Sequence, residues 1–275
     1  MYIVSPFTPL FFKLSVDSSG IDSRYIQVFA PSDEIMLQVI TRSESRTITG
    51  KIVDVITGVE TDIVWSVWSL NSTDNLYYKV ITGLSDGYYQ IDINGNVSNV
   101  FHITSDENEL ADTMLIQYSM KDNKERQDVV FWISEIQYFF DFRVHGGFKD
   151  DDWSFGVDNE QFTDANYNMC EVYSRERTNK IFTMGNSCGC PVWFAELLNR
   201  ILSCSYVYFN GDRYMRLDSN TPEKSVLIEG YKSYVFKQAL TSTDFVDYSE
   251  TDNLLKIRRV ENDTFRSVSN KLLTV

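Results

Sequence analysis

The sequence predicts a mainly β protein: two β-sandwich-like domains, the second with one amphipathic α-helix packed on a sheet. Three observations predict it. The first hundred residues break into short runs rich in Val, Ile, Tyr and Thr, with turn residues recurring at the spacing of an antiparallel sandwich. Two Asn-Gly pairs, Asn94-Gly95 and Asn210-Gly211, stand between apolar runs; both central positions of such a hairpin turn need positive φ. Only the stretch after Pro191 carries a convincing helical period.

Taken in order, "YIQVFA", "IMLQVITR", "SRTITGKIVDVITG", "IVWSVWSL", "LYYKVIT", "GYYQIDINGN" and "NVFHIT" read as strands of an N-terminal domain, residues 1–104. The acidic stretch 105–111, "SDENELA", is a linker or a capped helical turn, and the boundary is placed there. The second domain, residues 112–275, resumes with "TMLIQYSM", "DVVFWIS" and "IQYFFDFRV". In the last, Tyr138, Phe140, Phe142 and Val144 face one way while Gln137, Asp141 and Arg143 face the other, which predicts a half-buried strand. Residues 145–162 read as a loop-rich acidic connection, with His145 in a turn beside Gly146-Gly147. "MCEVYSR" and "KIFTM" read as two short strands.

The helix is predicted over 191–203. Pro191 suits its first position. Trp193, Phe194, Leu197, Leu198, Ile201 and Leu202 form an apolar stripe opposite Glu196, Asn199, Arg200 and Ser203. The hairpin "YVYFNGDRYMRL" follows, then a loop over 218–224 and the strands "SVLIEG", "SYVFKQAL" and "NLLKIRRV".

Composition narrows the function classes. Hydrophobic residues make up 43% of the 275, enough for a real core. A net charge of −14 repels nucleic-acid phosphates and anionic lipid, so specific nucleic-acid binding is not expected. The N-terminus lacks the basic region and small-residue cleavage site of a signal peptide, and no apolar run is long enough to span a membrane. The expectation is a protein kept in the cytosol unless an assembly carries it elsewhere, with reduced cysteines at 170, 188, 190 and 204. Their spacing lacks the close pairs of a zinc site, so burial is the simpler reading.

Gly185-Asn186-Ser187-Cys188-Gly189 fits the G-x-S-x-G motif of serine hydrolases. That fold needs a histidine after the serine, and His102 and His145 both precede it. An elbow helix also starts at the serine, whereas Pro191 places the start later. Ser187 is read as a turn residue, and no catalytic, cofactor-binding or metal residue is assigned. Asp150, Asp151, Asp152, Asp158 and Glu160 could supply oxygen ligands to calcium, but their spacing matches no calcium loop. Phe148, Trp153 and Phe155, set among those carboxylates, are instead the candidate assembly interface, because a solvated loop needs no such aromatics.

Three phrases carry a resemblance: "ELADTMLIQYSMKDNKERQDVVFWI", "FFDFRVHGGF" and "KIFTMGNSCGCPVWFAELLNRILSCSYVYFNGDRYMRL", spanning about residues 109–217. They resemble a family of proteins of Bacteroides and their phages described as tail or other virion structural proteins. The order of helix and hairpin also resembles the tail-tube and distal-tail fold, a β-sandwich flanked by one helix whose subunits form rings. The resemblance implies a non-enzymatic virion protein, assembled in the bacterial host cytoplasm as a homo-oligomeric ring in the tail or baseplate beside neighbouring tail proteins. The alternative expectation is a carbohydrate-binding or adhesin-type sandwich at a cell or virion surface, since many aromatics lie in strands. A hydrolase using carboxylates is a third.

Overall fold

The computed structural model describes residues 2–12, 25–42, 47–124, 126–163, 165, 167–187, 189–217, 223–226, 234–242, 260–261, 264–266 and 272–274; for 149–153, 175, 223–226 and the last three segments it describes the backbone alone. The chain is mainly β, as the sequence predicts.

The N-terminal part runs β1 (Tyr2–Val4), β2 (Gln27–Phe29), β3 (Ile35–Thr41), β4 (Gly50–Asp54), β5 (Glu60–Asp62), β6 (Ser66–Ser69), β7 (Asn75–Ile81), β8 (Gly87–Ile93), β9 (Asn96–Val97) and β10 (Phe101–Ile103). One sheet has the order β1-β3-β7-β6 and the other β2-β10-β8-β4-β5, with β9 also on β8. All pairs are antiparallel except β2–β10. The Asn94-Gly95 turn between β8 and β9 has φ of 50° and 87°, the double positive φ that its sequence demands. Alternate residues of facing strands meet between the sheets, among them Ile35, Leu37 and Val39 of β3 against Ile91, Ile93, Phe101 and Ile103.

The rest runs α1 (Glu107–Ala111), β11 (Thr113–Ser119), β12 (Trp132–Ile133), β13 (Ile136–Gln137), β14 (Phe140–Thr163), β15 (Met169–Met184), α2 (Val192–Ile201), β16 (Tyr206–Phe209), β17 (Asp212–Arg216), β18 (Glu223–Val226), β19 (Tyr234–Ser242), β20 (Val260–Glu261), β21 (Thr264–Arg266) and β22 (Leu272–Thr274). Stretch 105–111 is the capped helical turn: the Asp106 carboxylate accepts the Asn108 N–H. A seven-stranded sheet of order β15-β14-β11-β16-β17-β19-β18 carries α2, whose Phe194, Leu197, Leu198 and Ile201 are buried as the apolar stripe requires. The second Asn-Gly turn joins β16 to β17 with φ of 48° and 96°.

Four sequence readings are corrected. The first is β14. Its apolar face is buried as predicted, but so is Asp141, which is fully enclosed. The segment 25–34 lies across that second face, so the strand is not half-solvated. Asp141 accepts hydrogen bonds from the Glu34 N–H (2.9 Å) and the Gln117 amide (3.0 Å), while Arg143 forks onto Asp33. Second, 145–162 is no loop and His145 is in no turn: both belong to β14, which runs antiparallel to β15 along most of its length. "MCEVYSR" and "KIFTM" accordingly form one strand, β15. Third, of "DVVFWIS" only Trp132–Ile133 is a strand; Val129 and Val130 are buried without sheet pairing. Fourth, the loop read over 218–224 yields to β18 from Glu223. Most of "NLLKIRRV" lies outside the described residues.

The core crosses from one set of sheets to the other. Phe7, Tyr25 and Met36 belong to the same buried cluster as Phe140, Phe142, Phe194 and Leu198. Every residue of β3 is buried, because its second face packs on the C-terminal part. There the Gln38 amide donates to the Val130 carbonyl (2.6 Å) and accepts from the Val130 N–H (3.0 Å), standing in for a neighbouring strand.

Candidate functional site: an exposed β-ribbon

The feature that most needs a functional explanation is the outer part of the β14–β15 hairpin. Its base is anchored. Residues 140–145 of β14 pair with β11, and Asn179–Met184 of β15 pair with β19. Phe148 packs against the rings of Phe182, Phe209 and Tyr214, at centroid distances of 5.7, 5.7 and 4.8 Å. Lys180 Nζ lies 5.5 Å above the Phe148 ring and bonds the Tyr214 hydroxyl at 2.8 Å. Gly146 has φ 140°, and a Cβ there would stand 2.2 Å from the Thr183 carbonyl oxygen, so only glycine fits at this point of the strand.

Beyond Asn179 the two strands pair, among the described residues, only with each other, in register from Phe155↔Thr178 to Thr163↔Met169. A register shift after Glu160 leaves Val172 as the extra residue of a bulge. A two-stranded ribbon is marginal in water by itself. This one also displays apolar side chains: Phe155 is 78% exposed, Tyr167 at the tip 92%, and Val157, Phe162, Met169 and Val172 more than half. Alternation places Phe155 and Val157 on one face, with Asp158, Glu160 and Phe162 on the other, so both faces are partly apolar. The ion pair Asp158–Arg177 (2.6 Å) spans the ribbon, but its groups are well exposed and contribute little.

A second exposed apolar region lies on the N-terminal sandwich. β5 and β6 are edge strands of the two facing sheets, joined by residues 63–65, so they form one flank. Val55, Ile56, Val59, Val64 and Val67 are exposed there, while Ile63 turns into the core. Of the eighteen exposed large hydrophobics among the described residues, seven are on the ribbon and five on this flank; the rest are scattered. Edge β5 carries Glu60 and Asp62, but residues 63–71 carry no charge at all. Edge strands without charge are open to pairing.

Of the residues singled out in sequence, Phe148 sits in the anchored base, Trp153 stands at the register of Lys180, and Phe155 begins the free ribbon. The side chains of Trp153 and Asp150–Asp152 lie outside those described. The sequence reading gave the return strand as two short strands and missed its pairing with 145–162, and it read a strand over the sandwich flank without marking the flank as exposed. The available signals were the alternation of Phe155 and Val157 and the charge-free run 63–71.

Ser187 lies exposed in a turn closed by the Gly189 N–H donating to the Asn186 carbonyl, and α2 starts only at Val192. His145 Nδ1 lies 3.0 Å from the Tyr25 hydroxyl, which also accepts the His145 backbone N–H. Burial holds the imidazole below its ordinary range and pushes the Tyr25 phenol up. His102 stacks on Tyr88 and meets Glu109 at 3.2 Å. Of the cysteines, Cys170 stands opposite Phe162 in the ribbon, Cys190 is in the core beside the Met184 carbonyl, and Cys204 is beside that of Arg200; Cys188 lies outside the described residues. Among the described residues no His, Cys, Asp and Glu cluster could hold a metal, and no helix is long and apolar enough to cross a membrane.

No protein-family model, curated protein or solved structure matches this chain.

Proposed function

We propose that the chain is a non-enzymatic structural subunit that builds a homo-oligomeric ring in the tail or baseplate of a phage virion. Residues 109–217 resemble that class, and the fold supports the reading at one point above all. The ribbon beyond Phe155 projects apolar side chains from both faces with no third strand described beside it. Such a surface makes sense when another protein surface covers it. Helix α2, seated on the seven-stranded sheet, agrees with the resemblance. So does the net charge of −14, since a conduit for DNA must not bind the phosphates that slide through it. Assembly would take place in the host cytoplasm, beside neighbouring tail proteins.

In this reading Ser187 has no chemical task, and Ser187→Ala leaves assembly unchanged. The test is the mass of the purified full chain by native mass spectrometry and light scattering. A ring former gives one closed species several times 31.9 kDa. A strict monomer at every concentration reached would overturn the proposal.

A further inference from the structure

We infer that the flank formed by β5, residues 63–65 and β6 is the acceptor for the ribbon of a second copy of this chain, so that the interface is head-to-tail. The inference rests on the ring-building reading and adds to it the two surfaces that meet.

The first argument is size. At ~3.3 Å per residue and ~4.8 Å between strands, the nine residues from Phe155 to Thr163 and their partners make a ribbon about 30 Å long and roughly 10 Å wide. Each face offers on the order of 300 Å², so one covered face removes about 600 Å² in total over the two partners, a weak contact by itself that a closed ring repeats at every subunit. A small ligand would cover a fraction of this. The occupant is therefore a protein surface that lies along the ribbon.

The second argument is symmetry. A ring needs two different surfaces on each copy, one donor and one acceptor, whereas a self-complementary patch closes a dimer and stops. The described residues hold two concentrations of exposed apolar side chains on unrelated elements, the ribbon and the flank. The flank has what a receptor for an extended segment requires. Among the described strands β6 pairs with β7 alone and leaves its other edge free. Val67 stands exposed on β6 at 57% and Val64 in the connector just before it at 77%, and Trp68 points inward to anchor the strand on Leu76 and Ile40. By contrast β5 is guarded by Glu60 and Asp62. Natural edges are normally protected by charge, and a charge-free edge is left open where pairing is wanted. The ribbon of one copy would lie along β6 of the next, Phe155 and Val157 covering Val64 and Val67.

The test uses two single variants of the full chain. Phe155→Lys spoils the donor and leaves the acceptor intact, and Val67→Lys does the reverse. Lysine also lowers the acidic net charge, so lost assembly cannot be blamed on added repulsion. Both sites are exposed, so both variants should melt with the wild type, which circular dichroism checks. Each variant alone should remain at 31.9 kDa. Mixed in equal amounts they should form a 1:1 heterodimer and nothing larger, because one intact donor and one intact acceptor survive. If the wild type assembles while Val67→Lys assembles equally well, or while the mixture stays monomeric, the acceptor is elsewhere and this inference falls with the ring reading intact. A wild type that never assembles overturns both.

Discussion

Arg143 on β14 forks onto the Asp33 carboxylate, with Nε to Oδ2 at 2.6 Å and Nη2 to Oδ1 at 2.9 Å. The pair is a hundred and ten residues apart in sequence and almost wholly enclosed, its side chains 12% and 2% exposed. Asp33 also accepts the Ala30 N–H, and Arg143 donates to the Thr113 hydroxyl. The fork thus ties the turn before β3 to the seven-stranded sheet and fixes how the two sets of sheets meet.

Asp33→Ala should therefore be severe. Removing one partner leaves a guanidinium buried without its counter-charge, which costs about 3–5 kcal/mol. Denaturant unfolding at neutral pH reads this directly. A loss under about 1 kcal/mol would mean that water reaches Arg143. The double variant Asp33→Ala/Arg143→Met should recover much of the loss, because a buried pair adds little over well-packed apolar groups.

Gly146→Ala should disrupt the hairpin base. Its φ of 140° is strained for any side chain, and the added methyl would meet the Thr183 carbonyl oxygen far inside contact distance. Strain alone costs about 1–3 kcal/mol, and the clash adds to it. Gly147, with nothing near its notional Cβ, is the matched control. Melting temperatures of the two alanine variants should differ widely; equal values would show that the strand adjusts at no cost.

The helix supplies a third check. Leu198 is fully buried in the middle of the α2 stripe, and its neighbour Phe194 meets the rings of Tyr25 (4.9 Å) and Phe142 (5.2 Å). Leu198→Ala should cost about 2–5 kcal/mol by lost burial and the cavity left behind. A change below about 0.5 kcal/mol in denaturant melts would mean the site collapses around the smaller side chain.

What the sequence disclosed and what it hid divide along the range of the interactions. The two Asn-Gly turns and α2 were legible because a few adjacent residues determine them: positive φ at two positions, or an apolar stripe within ten residues. The burial of Asp141 was not, because its partner Glu34 lies 107 residues away and a lone aspartate on a strand looks solvated. The ribbon was misread for a related reason. Acidic residues and Gly146-Gly147 signal a loop, whereas cross-strand pairing with β15 overrides that local signal. Phe155, singled out in sequence as an aromatic that a solvated loop does not need, stands exposed on the ribbon.

Cys190 gives the last prediction. It lies in the core with no exposed surface, its Sγ 3.8 Å from the Met184 carbonyl, and burial pushes the thiol up to about 12. The sign of the pH effect follows. Unfolding returns the thiol to its ordinary value of 9.0, so between about pH 9 and about pH 12 the unfolded chain holds fewer protons than the native one. Stability then falls as pH rises across that window, by about 1.4 kcal/mol per pH unit for one such group. Tyr118, fully enclosed with its hydroxyl donating to the Phe7 carbonyl, has its phenol raised by burial and acts in the same direction. Melting temperature should hold near neutral pH and decline steeply above about pH 9. In Cys190→Ala the neutral-pH value drops because a core group is lost, but the alkaline decline becomes shallower. A second readout needs no variant: at about pH 8 Cys190 should resist alkylation until denaturant unfolds the chain, since the buried thiol offers neither thiolate nor access. Peptide mapping after a pulse of iodoacetamide distinguishes it from Cys170 on the ribbon. Rapid labelling of Cys190 in the native protein would show that the strand-to-helix turn around it opens readily, and the alkaline prediction would fail with it.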